Sequence, residues 1–157
     1  MRTRGKNKNE RNSGGTALIE LACVAVMLAV VTVLSVDIGI MLLAFNVNDR
    51  ACRDAARAAG GGTDYASALR LAQSSVCMHK TSGSFIGQPT VDTAQFGYYD
   101  SGLPTNCSPY VSCTTNISVR LPATIYYAGA KLDASGAMTF SRKYTYPIIK
   151  LTLVLPP

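Results

Sequence analysis

Between Leu21 and Val36 the chain has sixteen consecutive uncharged residues, and beyond Asp37 the apolar pattern resumes through Phe45. At about 1.5 Å per residue, a helix over 21–45 reaches roughly 37 Å, more than the ~30 Å hydrocarbon core of a bilayer. The segment can therefore span a membrane. Ahead of it, residues 1–15 set Arg2, Arg4, Lys6, Lys8 and Arg11 against Glu10 alone, which makes a solvated basic leader. By the positive-inside rule this leader is expected to stay cytoplasmic, with everything after about Asn46 exported. A secretory signal would have a shorter apolar region closing on a small-residue cleavage site, and none is found, so the helix is expected to remain.

One carboxylate lies at the mouth of this helix. Glu20 follows Gly15, Thr16, Ala17, Leu18 and Ile19. An acid in such a segment costs roughly 2.5–3.5 kcal/mol at the helix centre on insertion scales, and less near the interface, so it needs a partner or a purpose. Asp37 lies 17 residues further on, roughly 25 Å along a helix. That distance brings it towards the outer interface, where a hydrated cap and a subunit contact are both open readings.

The 157 residues suffice for one modest domain plus an anchor. Asn46 to Ala59 is rich in helix formers, with Asp49/Arg53 and Arg50/Asp54 at i, i+4 spacing, and predicts a stalk continuous with the span. Gly60, Gly61 and Gly62 stop it through left-handed backbone. No Lys-Ser or Lys-Thr follows and no strand precedes them, which excludes a phosphate loop. Thr63 or Asp64 caps a second helix running to about Met78, with Tyr65, Leu69, Ala72 and Val76 as its core stripe.

Beyond Thr81 the composition turns to Gly, Pro, Ser and Thr among β-branched and aromatic residues. Strands are expected over 90–99, 115–121, 137–146 and 148–155, forming a small antiparallel sheet with one buried face. The expected class is α+β: a long N-terminal transmembrane helix and stalk, a short helix and this sheet. The corresponding divisions are a leader over 1–15, helix and stalk over 16–59, and an exported domain over 60–157. The tyrosines of this half read mainly as core or sheet-face residues.

Cys23 sits in the apolar helix as a small packing residue. Cys52, Cys77, Cys107 and Cys113 form an even set on the exported side, where two disulfides are expected and three pairings are possible. Cys107 with Cys113, closing a short loop, and Cys52 with Cys77, tying two helices, are the favoured ones. Their spacings do not suit zinc, and His79 is the single histidine. Catalytic motifs are missing: there is no H-E-x-x-H, G-x-S-x-G or C-x-x-C, so neither an enzyme nor a cofactor is expected. The exported part has ten Lys or Arg against six Asp without clustering, which speaks against nucleic acid. The sequons at Asn106 and Asn116 are not read as modification sites.

The basic leader, G-T-A-L-I-E at Gly15 to Glu20, the apolar helix, D-I-G at Asp37 to Gly39 and D-A-A-R-A-A at Asp54 to Ala59 together resemble the TadE-like family. The likeness covers about residues 11–60. It implies a minor pilin or pseudopilin of a tight-adherence (Tad/Flp) pilus, a type IV pilus system. Its implied partners are the membrane, a prepilin peptidase, other pilins and assembly-platform proteins. Cleavage on the cytoplasmic face would fall between Gly15 and Thr16, making Glu20 the fifth residue. Thr16 departs from the bulkier first residue common in major pilins, and Ile40 stands where the family pattern often has arginine.

Elementary electrostatics gives Glu20 a role in such an assembly. Two unit charges about 4 Å apart attract by ~4 kcal/mol at an effective dielectric of 20, so a neighbour's Thr16 ammonium would offset the cost of burying the acid and set subunit register. The alternative is an uncleaved single-span protein with Glu20 at the cytoplasmic interface and an exported, disulfide-stapled binding domain.

Overall fold

The computed structural model describes residues 10–81, 83–101, 104, 107–122 and 137–149, with side chains from Gly15 onward. It divides into two compact units, residues 1–38 and 39–157, and one helix, α1 (Glu10–Ala59), contributes to both.

In the first unit α1 is apolar around its circumference. Leu18, Leu21, Met27 and Val31 all lie more than 60% exposed. Two hydroxyls further along it close internal hydrogen bonds, Thr32 Oγ1 donating to Leu28 O and Ser35 Oγ to Val31 O, each at 2.8 Å. Polar groups satisfied within the helix suit hydrocarbon surroundings. The helix is long and apolar enough to cross a membrane.

The second unit is an α+β arrangement. A four-stranded antiparallel sheet is built around β3 (Tyr110–Arg120), which pairs along its whole length with β4 (Ala137–Pro147). The other edge of β3 takes two short strands, β1 (Thr90–Val91) and β2 (Gly97–Tyr99). The single strand expected over 90–99 is thus two pieces. Asp92 breaks it, its Oδ1 accepting from Ala94 N at 3.0 Å and its carbonyl from Gln95 N at 3.3 Å, a local turn that competes with the ladder. β3 starts five residues earlier than expected, because Tyr110, Val111 and Ser112 pair with β2. The strand expected over 148–155 lies outside the described residues beyond Ile149, and residues 148 and 149 are not strand.

Residues 46–59 of α1, expected to form a stalk continuous with the span, join Ala44 as the spine of the core. Ala44, Ala51, Cys52, Ala55, Ala56 and Ala59 are fully buried. The last three pack with Val111 and Cys113 of β3, and Ala44 packs with Ile117 and Val119. Small side chains every third or fourth residue let the sheet pack on this helix, so the α+β unit draws on α1 well before Gly60.

A second helix, α2 (Tyr65–Cys77), adds Ala68, Ala72 and Val76 to the same core, while Leu69 is partly buried against it and Tyr65 stays half-exposed on Phe96. Asp64 caps it as expected: its side chain accepts from Ser67 N at 2.8 Å, and Ser67 Oγ in turn accepts from Asp64 N at 3.1 Å. Those bonds from Ser67 hold the Asp64 carboxyl below its ordinary range.

The three glycines do stop α1, but for another reason than expected. Among the described residues only Gly83 has a positive φ. A Cβ on Gly60 would lie 2.7 Å from the Tyr146 ring, and one on Gly62 would lie 2.6 Å from the Ala68 backbone. Space, not handedness, requires glycine there.

Candidate functional site: acids and glycine of the long helix

Gly15 and Thr16 lie on exposed helix, and a Cβ built on Gly15 would meet nothing within 4 Å. Packing gives no reason for glycine at this position. It also lies inside a helix that starts at Glu10, where glycine costs about 1 kcal/mol relative to alanine. One turn on, the Glu20 side chain is exposed and makes no hydrogen bond or ion pair with any described residue. An unpaired carboxylate thus stands on a helix whose neighbouring side chains are Leu18, Ile19 and Leu21, all about two-thirds exposed.

Asp37 presents the opposite case. It is 2% exposed, and neither carboxylate oxygen has a hydrogen-bond partner. At 100° per residue, Glu20 and Asp37 point about 100° apart around the helix axis, so the two acids do not share a face.

The cysteines depart from expectation. Cys23, Cys52, Cys77, Cys107 and Cys113 are all free thiols, and neither Cys52–Cys77 nor Cys107–Cys113 is formed. Because β3 begins at Tyr110, Cys113 is a strand residue facing the core, whereas Cys107 is exposed in the preceding loop. Cys77 is exposed at the end of α2, and Cys52 Sγ donates to Arg142 O at 3.3 Å and to Cys113 O at 3.4 Å.

Sequence reasoning missed Asn48. Fully buried, it donates from Nδ2 to Thr115 O (3.3 Å) and Phe140 O (3.1 Å) and accepts from Thr115 Oγ1 at 2.8 Å, joining α1 to β3 and β4. An amide between Val47 and Asp49 carries no local signal of a partner 67 residues away.

The expected Asp49–Arg53 pair forms at 2.7 Å, but Arg50 does not pair with Asp54, which meets His79 Nε2 at 3.0 Å instead. Arg142 reaches from β4 to Asp49 at 3.6 Å and stacks over Phe45 at 4.3 Å. These contacts fasten α1 to its sheet and α2. Among the described residues there is no cluster of three or more His, Cys, Asp or Glu able to hold a metal.

No family model matches the chain, and no curated protein or solved structure matches it either.

Proposed function

We propose that this protein is a pilin-like structural subunit, a minor pilin or pseudopilin needed to assemble a Tad/Flp adhesion pilus. In this reading it is held in the bacterial inner membrane by α1, with its leader cytoplasmic and its α+β domain exported. A prepilin peptidase cuts after Gly15, Glu20 sets register against a neighbour's Thr16 ammonium, and apolar helix faces pack side by side. Its role is structural and not catalytic.

The observation that carries this reading is the pairing of a glycine that packing does not require with an unpartnered carboxylate five residues on, in an otherwise apolar exposed helix. Each is unfavourable for an isolated helix, and each acquires a purpose if a peptidase reads the first and a neighbour reads the second. The test is the intact mass of the protein taken from its native membrane. A chain beginning at Thr16 is expected, and one beginning at Met1 or Arg2 would overturn the proposal.

One observation favours the alternative, an uncleaved single-span protein with an exported binding domain. α1 starts at Glu10, so the Gly15–Thr16 bond is helical, and its backbone would have to unwind to enter a protease cleft. The same mass measurement separates the two.

A further inference from the structure

Four residues of α1 run along β3 in the direction opposite to the strand. Asn48 meets Thr115, Cys52 lies against Cys113, and Ala55 and Ala56 pack with the cluster that holds Val111. Alternation along β3 puts Val111, Cys113, Thr115 and Ile117 on one face, and all four are buried. Cys113 therefore directs its thiol at the turn of α1 that carries Cys52. Both side chains are fully buried, and Cys52 Sγ is already 3.4 Å from the backbone of Cys113.

We propose that Cys52 and Cys113 are joined by a disulfide in the exported protein, bolting α1 to the central strand of the sheet. Of the three pairings open to the four exported cysteines, only one contains this bond, and it is not the one that sequence spacing favours. The proposal draws on the export reading for its oxidising compartment and on geometry alone for its partners.

The chemistry is thiol–disulfide exchange with a protein disulfide donor. One cysteine, as thiolate, attacks a donor sulfur and expels a donor thiolate, giving a mixed disulfide. The second then attacks the mixed disulfide and releases the other donor thiolate. Two thiols lose two electrons and two protons, and the donor leaves as a dithiol. In the folded, reduced domain this path is closed. Burial pushes the Cys52 thiol up, while burial and then the neighbouring Cys52 push Cys113 up to about 12. Neither supplies a thiolate at neutral pH and no donor reaches them, so the bond must form before α1 docks on β3.

The experiment uses the full chain twice: extracted from native membranes, and refolded in detergent with a mixture of reduced and oxidised glutathione. Both samples are denatured without reductant, alkylated with iodoacetamide, proteolysed and read by mass spectrometry. In each, a cross-linked peptide pair containing Cys52 and Cys113 is expected, lighter by two hydrogens than the free peptides. Linkage in the glutathione sample with alkylation of both cysteines in the membrane sample would support the pairing and sink the export reading. Alkylation of both in the glutathione sample, or a link from either to Cys77 or Cys107, would overturn the pairing.

Discussion

Asn48 shows what a single buried polar side chain can determine. Its three hydrogen bonds reach the backbones of two strands and a threonine hydroxyl, so removing the amide takes a donor from two buried carbonyls and leaves the Thr115 hydroxyl only its 3.5 Å bond to the carbonyl of residue 48. At ~1–3 kcal/mol per orphaned buried group, partly relieved by relaxation, Asn48→Ala should cost about 2–3 kcal/mol. Denaturant unfolding in detergent, followed by circular dichroism, checks this; a midpoint within error of wild type would remove Asn48 from its place as a clamp. Glu20 is the contrary case, exposed and without a partner among the described residues, so Glu20→Ala should leave folding and cleavage unchanged. Surface pili counted by electron microscopy should nevertheless disappear, and normal piliation would rule the residue out as a register device.

At the scale of elements, α2 was readable from sequence and the start of β3 was not. Ala72 and Val76 recur at helical spacing behind an aspartate cap, a signal contained within fifteen residues. Tyr110 to Thr114 alternates over too few residues to stand out beside the Pro- and Ser-containing loop before it, and its strand is completed by Gly97 to Tyr99 and Tyr144 to Pro147 on its two edges. That missing non-local information also hid that Cys113 is a buried strand residue beside Cys52 of α1. The span and the helix stop at Gly60 were legible because each rests on contiguous residues. At the candidate site, Gly15 and Glu20 could be singled out as local exceptions to helix and membrane preferences, whereas the burial of Asp37 could not. The α1–α2 connection offers a sharp test: Gly62→Ala forces a methyl against the Ala68 backbone and should destabilise the domain by about 1–3 kcal/mol, measured by thermal melting. Gly15→Ala is the control, since open space and helix preference there predict no loss of melting temperature.

For the molecule as a whole, the testable matter is topology. Cys77 and Cys107 are exposed, whereas Cys52 and Cys113 are buried. After mild reduction, a membrane-impermeant maleimide added to spheroplasts should label Cys77 and Cys107 and spare the buried pair, with the adducts located by peptide mapping. Labelling that appears only after permeabilisation would place the domain on the cytoplasmic side and contradict the proposed orientation. The alanine stripe that joins α1 to its sheet has a further consequence for how the sequence can vary. Ordinary cores suffer most when atoms are removed, yet at Ala44, Ala51, Ala55, Ala56 and Ala59 there is almost nothing to remove. Tolerance at these positions is bounded from above: each added methylene pushes helix and sheet apart, so the domain is limited by the largest side chain the seam can admit.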